Sequence, residues 1–329
     1  MACALFAAVS GSSPATVVAI GSILLPGMIK AGFPMKFGAG VITTSGALGI
    51  LIPPSIVMVM YSVATNTSVG ALFMAGVIPG LILATMLGGI TWYRAMKFDY
   101  PRQPKASWLE RLRTFRKAVW GLMLIIVVMG GIYSGVFTPT EAAAMSAVYA
   151  FFVSVFVYKD LTLKDVPKVL LSSANMSAML LYIITNAVMF SFILANENIP
   201  QLLTDWLIDK GLGQIAFLFA VNILLLMAGN FMEPSSIMLI FAPIVFPVAM
   251  KLGIDPVHLG ILMTVNMEVG MCHPPVGLNL YVASGLTKMG ITELTVAVWP
   301  WLLTMLVFLI GVTYWPTMSI WLPKALGMM

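Results

Sequence analysis

Apolar residues run through the chain in stretches long enough to cross a bilayer, and polar residues fall at the ends of those stretches or in short clusters inside them. About 20 consecutive apolar residues span the hydrocarbon core. By that measure residues 71–93, 118–136, 139–158, 173–195 and 294–314 each predict a continuous transmembrane helix. Two further runs, 36–63 and 257–286, are also long enough, but Pro53-Pro54 and Pro274-Pro275 interrupt them. A proline inside a helix removes a hydrogen bond and clashes with the preceding turn, so a pair predicts a break. Lipid does not tolerate unpaired backbone, so each break is expected inside protein, against something polar.

Two other apolar segments come as pairs of arms. One leads up to "SGSSPAT" (residues 10–16) and continues to Met28; the other covers 214–229, then "NFMEPSS" (230–236), then 237–250. Arms of about 14–17 residues are short for a span. Separated by a polar, proline-containing tip, they predict re-entrant helical hairpins. A different pattern appears at Ile199, Leu202, Leu203, Trp206 and Leu207, spaced along one helical face with Thr204, Asp205 and Asp209 elsewhere. It predicts an amphipathic helix on the outer surface. Trp108, Leu109, Leu112 and Phe115 form a similar stripe.

Composition agrees: 60% of residues are hydrophobic and 9% charged, against roughly 25% charged in soluble domains. The fold class expected is an all-α polytopic membrane protein. Cys3 and Cys272 supply neither a disulfide framework nor a metal spacing, and His258 and His273 are too few for a haem or zinc cage. No phosphate-binding loop, nucleophile elbow or HExxH helix occurs, which argues against ATP-driven transport by this chain and against an enzyme. No cofactor and no nucleic-acid partner are expected.

Charge sets the expected orientation. The segment 94–117 holds Arg94, Lys97, Arg102, Lys105, Arg111, Arg113, Arg116 and Lys117, eight of the 17 basic residues, and is expected in the cytoplasm. Alternating outward leaves only Lys210, Lys251 and Lys324 outside. The first hairpin then opens to the cytoplasm and the second to the outside. Sliding the chain by 221 residues superposes Gly49 on Gly270, Pro53 on Pro274, Pro54 on Pro275 and Pro26 on Pro247. A one-residue slip adds Pro34 with Pro256 and Gly38 with Gly260. Hairpin-plus-broken-helix units in opposite orientation mark inverted-repeat secondary transporters, with half-helix ends and free carbonyls at a midplane site. The expected organisation is a first hairpin and broken helix (1–66), scaffold helices with the basic cytoplasmic loop (67–195), an external amphipathic arm (196–212), a second hairpin and broken helix (213–288), and a last scaffold span with its tail (289–329). By symmetry about three more spans and most of one arm are expected ahead of the first unit.

The tips carry the candidate chemistry. "SGSSPAT" offers hydroxyls and unwound carbonyls; oxygen ligands suit hard cations, and helix N-termini suit anions. Glu233 in "NFMEPSS" either caps the helix that follows it or lies on an ion path. Glu268 is either a functional acid or an interhelical hydrogen-bonding group. His273 reads as a structural cap beside Pro274. "TPTEAAA" reads as a helix start, with Thr138 as N-cap, Pro139 at the first position and Glu141 at the third.

The chain resembles the large membrane subunit of the tripartite ATP-independent periplasmic (TRAP) transporters. "SGSSPATVVAIGSI", "GALGILIPPSI", "GVFTPTEAAA", "FMEPSSIMLIFAPIVFPV" and "GMCHPPVGLNLYVASG" carry the resemblance, in family order along nearly the whole chain. It implies a bacterial inner-membrane protein that takes up an organic anion, such as a C4-dicarboxylate or sialic acid, with sodium as coupling ion. It implies elevator-type movement against a scaffold, a small membrane subunit and a periplasmic substrate-binding protein. By matching motifs, one sodium site is expected at Ser12 and Ser13 with carbonyls near Gly49 and Ile50. The other is expected at Ser235 and Ser236 with carbonyls near Gly270 and Met271. Substrate is expected among Thr16, Pro53, Pro54, Ser55, Pro274, Pro275 and Asn279. The competing reading from the residues alone is an ion channel with re-entrant filter loops.

Overall fold

The computed structural model describes residues 1–102 and 106–329, and among these it holds helices and no strand. Lys105 lies outside the described residues, as do the side chains of Leu203 and Leu207. Among the described residues seven helices are long and apolar enough to cross a membrane. The chain forms two compact units, residues 1–102 with 187–329 and residues 103–186.

The first unit opens with a hairpin. Helix α1 (Ala2–Ser10) ends at Gly11, whose φ of 61° turns the chain while its N–H reaches Ala7 O at 2.9 Å. Glycine adopts this left-handed geometry without the Cβ clash other residues meet. Helix α2 (Ser13–Lys30) returns with a proline in its first turn. Next, α3 (Met35–Gly46) tightens into a 3-10 turn over Ala47–Ile50 and stops before the proline pair. Helix α4 (Ile56–Thr65) restarts the backbone, with the Ser55 hydroxyl accepting from Met58 N. Helix α5 (Val69–Lys97) follows.

The second unit contains α6 (Trp108–Tyr133), α7 (Pro139–Phe152) continued by a π turn at Val153–Val157, and most of α8 (Val166–Asn196). Tyr149 and Tyr158 tie α7 and its π turn to α6, donating to Trp120 O and Lys117 O, each at 2.7 Å. The capping box at Thr138 and Glu141 forms as its spacing predicts. The basic segment 94–117 is not one loop. Arg94 and Lys97 lie in the last turn of α5, and Arg111 to Lys117 lie on α6. Ser107 begins that helix by accepting from Glu110 N at 3.2 Å, and charged residues with long side chains propagate it well.

The rest of the first unit comprises α9 (Ile199–Asp209), α10 (Gln214–Gly229), α11 (Pro234–Lys251), α12 (Pro256–Gly270), α13 (Leu278–Thr287), α14 (Ile291–Tyr314) and α15 (Thr317–Ala325). Helices α10 and α11 form the second hairpin, and α12 and α13 the second broken helix. Helix α9 packs on α11 and buries Thr204 while exposing Leu202 and Trp206. Thr204 and Pro200 therefore meet protein, while Leu202 and Trp206 are open to the surroundings.

The two halves interlock reciprocally. Helix α4 packs along α11 and its counterpart α13 along α2; α14 packs along α3 and its counterpart α5 along α12. Exchanged contacts of this kind are what a two-fold pseudo-repeat produces. Helices α5 and α14, expected in the scaffold, belong to the same compact unit as the hairpins. Trp301 of α14 is wholly buried and donates its indole N–H to Thr91 of α5 at 2.8 Å. The repeat is thus a hairpin, a broken helix and the long helix after it. The 221-residue offset already held the signal, because it also pairs Pro79 with Pro300, Lys30 with Lys251 and Gly32 with Gly253. The last two are both left-handed, at φ 89° and 75°, and each follows the second arm of its hairpin.

Candidate functional site

Each hairpin tip is seated on the break of its own half, and glycines set the distance. A Cβ on Gly49 would stand 2.6 Å from the carbonyl carbon and oxygen of Ser12 and 2.8 Å from Ser13 N. The backbone of the 3-10 turn therefore touches the backbone of the first tip. Gly11 meets the far side of the break: its Cβ would stand 3.0 Å from Pro54 O. In the second half Gly229 and Gly270 play this part, each Cβ falling 3.0 Å from the other's Cα. Gly277 N donates to Asn230 O at 3.2 Å, and His273 Nδ1 lies 3.3 Å from the Asn230 side chain. His273 thus braces break against tip.

The structure brings Ser12, Ser13 and Gly49 together. Ser13 donates its hydroxyl to Ala47 O at 2.8 Å, one turn before the expected carbonyls. The Ile50 carbonyl accepts from the Ser55 hydroxyl. At the second tip Glu233 is the N-cap of α11, accepting from Ser236 N at 3.0 Å. Ser235 and Ser236 turn their hydroxyls to the same carboxylate, at 2.9 and 3.4 Å. The capping reading of Glu233 therefore holds in this conformation. Gly270 and Met271 lie at the end of α12, where Met271 O accepts from Asn279 N at 3.0 Å.

Of the residues expected near substrate, Pro275 is exposed and Pro54 and Pro274 are half-buried, whereas Thr16, Pro53, Ser55 and Asn279 are buried. Thr16 donates to Ser12 O at 2.8 Å and lies 2.8 Å from Ser10 Oγ. Thr16 and Ser55 hold the tip and the break in shape here and do not present their hydroxyls outward. The halves meet at Cys272, whose thiol lies 3.6 Å from Thr43 O of α3, and at Tyr61, which donates to Pro256 O at 2.7 Å.

Sequence reasoning placed Ser10 and Asn230 in the polar tips but missed Ala47, Gly229 and Gly277, which are contact residues of the tips and breaks. Gly229-Asn230 stood visible as a turn signal at the hairpin apex. It also missed a buried polar chain linking α10, α12 and α14: Asn222 donates to Thr313 at 2.9 Å and accepts from Asn266 at 2.7 Å. Glu268, in the same helix as Asn266, is wholly buried, and among the described residues no donor reaches either carboxylate oxygen. The interhelical hydrogen bond considered for it is not made.

Among the described residues no three His, Cys, Asp or Glu side chains gather as metal ligands. The donors at the tips are hydroxyl, carbonyl and carboxylate oxygens, a set that suits hard cations. The open end of each break adjoins the N-terminus of a half-helix, α4 or α13, whose free N–H groups favour an anion.

Comparison with known proteins matches this architecture to a function. Residues 1–318 match the family described as "Tripartite ATP-independent periplasmic transporter, DctM component". The C4-dicarboxylate TRAP transporter large permease protein DctM of Rhodobacter capsulatus is 73% identical over all of this chain and 78% of its own length. The protein of the same name from Pseudomonas aeruginosa is 56% identical over all of this chain and 77% of its length. The sialic acid TRAP transporter large permease protein SiaM of Vibrio cholerae is 36% identical over 98% of this chain and 76% of its length. These relatives are transport permeases and not enzymes. With its interlocked hairpins, its paired breaks and a family match along almost its whole length, the chain belongs to the DctM family, the large permease component of TRAP transporters.

Proposed function

We propose that this multi-pass inner-membrane protein couples the inward movement of sodium to the uptake of a small organic dianion. A C4-dicarboxylate is the favoured class, because that substrate is printed in the names of the relatives at 73% and 56% identity. One observation carries the coupling: each hairpin tip touches the backbone of its break at a glycine, so an oxygen-lined ion site forms only while tip and break stay together. Sodium at Ser12, Ser13 and Gly49, and at Ser235, Ser236, Gly270 and Met271, would hold tip and break in register. The anion would lie at the rim formed by Pro54, Pro274 and Pro275, facing the N-termini of α4 and α13.

Helices α1–α5 and α10–α14 are then the moving body of an elevator-type cycle, since their reciprocal packing makes them one object. Helices α6–α8 carry wide exposed apolar surfaces, suited to lipid and to a small membrane subunit. Substrate arrives from a periplasmic binding protein. The test is uptake of labelled succinate by proteoliposomes holding the full-length complex. Uptake is expected only with an inward sodium gradient and added binding protein. Equal uptake in sodium-free buffer under a proton gradient contradicts the sodium coupling, and equal uptake without binding protein contradicts the delivery step.

A further inference from the structure

We propose that Glu268 anchors an interior sodium site, separate from both hairpin tips, at the crossing of the two broken helices. This inference rests on the sodium coupling proposed above and adds a site to it.

The observation is a run of buried oxygens without donors. Glu268 is wholly buried, and neither carboxylate oxygen has a hydrogen-bonding partner among the described residues. Asn266 Oδ1 and Asn279 Oδ1 are buried and unpartnered in the same way. The Glu268 and Asn279 orphans are acceptors at the end of α12 and the start of α13, whereas Asn266, two residues before Glu268, lies on the other side of α12 and faces Asn222 of α10. A bare buried carboxylate is costly unless something positive compensates it. The protein does not supply the positive group: the one ion pair among the described residues joins Lys36 and Glu293, at 3.2 Å, with both side chains about half exposed to solvent. A cation supplies what a set of acceptors lacks.

The surroundings extend the oxygen set. Cys272 lies in the turn that closes α12 just after Glu268, its N–H donating to Val269 O at 3.0 Å. The Cys272 thiol lies 3.6 Å from Thr43 O, and Asn279 Nδ2 lies 3.7 Å from the same sulfur. With the Asn279 nitrogen directed at Cys272, its oxygen is left without a donor. The site thus lies where segment 268–279 meets the backbone of α3. Its charge selects the ion. One carboxylate among neutral oxygens balances a single positive charge, whereas calcium takes six to eight oxygens, commonly from several carboxylates. Glu268 also breaks the pseudo-symmetry. The residue 221 positions earlier is Ala47, whose carbonyl is occupied by the Ser13 hydroxyl. The site belongs to one half only and does not duplicate a tip.

The test is equilibrium binding of radioactive sodium to the purified full-length complex in detergent, comparing wild type, Glu268→Gln and Ser12→Ala. Glu268→Gln keeps the shape and removes the charge. It is expected to bind one sodium ion fewer per complex than wild type, with unchanged helical content and elution volume. Ser12→Ala is expected to weaken a different ion, so the double variant shows both losses. Unchanged sodium stoichiometry and affinity in folded Glu268→Gln overturns the proposal, whether a proton or water fills the place. No sodium binding by the wild type refutes the coupling itself, a separate outcome read before any variant. If Glu268→Gln does not fold, Glu268→Asp, which withdraws the carboxylate by one methylene, is expected to weaken one site by about tenfold, taking a charged hydrogen-bond partner as guide. Unchanged affinity there overturns the proposal equally.

Discussion

Gly49→Ala is the sharpest single perturbation of the tip-on-break contact. The added methyl would stand 2.6 Å from Ser12 C and O and 2.8 Å from Ser13 N, where carbon pairs are most favourable at about 3.5–4.0 Å. These obstacles are backbone atoms, so no rotamer change relieves the clash, and the tip must lift by close to 1 Å. Overpacking of this kind costs about 1–3 kcal/mol. Gly88→Ala is the control, because Gly88 is exposed on α5 and its Cβ would meet nothing within 4 Å. There the change should help, since Ala exceeds Gly in a helix interior by up to about 1 kcal/mol. The assay is thermal stability of the full-length complex across a sodium series at constant ionic strength, paired with uptake. Gly49→Ala is expected to melt below wild type, to lose sodium-induced stabilisation, and to need about tenfold more sodium for half-maximal uptake, a change of about 1.4 kcal/mol. Gly88→Ala is expected to match or exceed wild type in all three. Wild-type sodium dependence in Gly49→Ala would refute the claim that contact between tip and break creates the ion site.

Three other variants test neighbouring links. Pro274→Ala/Pro275→Ala removes a bias against helix of about 3 kcal/mol per proline; a folded complex that no longer transports is expected, and uptake within a few-fold of wild type would reduce the pair to a kink. Ser12→Ala is expected to raise the sodium requirement more than Ser235→Ala does, because the Ser235 hydroxyl is already bonded to Glu233; sodium titration of uptake in both variants gives the order. Asn222→Ala removes the side-chain bonds to Asn266 and Thr313, while Asn266 keeps the Asn222 carbonyl and Thr313 keeps Leu309 O, and is expected to destabilise by about 0.5–1.5 kcal/mol, the net worth of a hydrogen bond; an unchanged melting temperature would show that the chain of amides is not structural.

Much of this architecture is legible in the sequence, because prolines and polar tips interrupt an apolar background. Both hairpins, both breaks and the Thr138 capping box follow from that punctuation. Helix faces do not. An apolar helix buried on one side and facing lipid on the other has little polar contrast around its circumference, so periodicity does not reveal its partners. For this reason the packing of α5 and α14 on the broken helices is not visible there, although Pro79 and Pro300 obey the repeat. On α9, Thr204, placed by the sequence reading off the apolar stripe, is a side chain that packs inward. At the tips the sequence shows which hydroxyls are present but not where they point. Ser13, Thr16 and Ser55 bond to carbonyls within the protein, a matter of backbone geometry that composition does not encode.

The central claim is that two oppositely built halves each bring a sodium site to one anion. The most direct measurement is the sodium-to-substrate ratio of the full-length complex in proteoliposomes, obtained by balancing a known succinate gradient against a known sodium gradient and membrane potential until net flux stops. The account predicts at least two sodium ions per dianion, with a null-flux point indifferent to potential at two, where the charges cancel, and shifting with it when the interior site adds a third, and with a lower ratio in Ser12→Ala. A ratio of one or less, or a null-flux point indifferent to sodium, would contradict it.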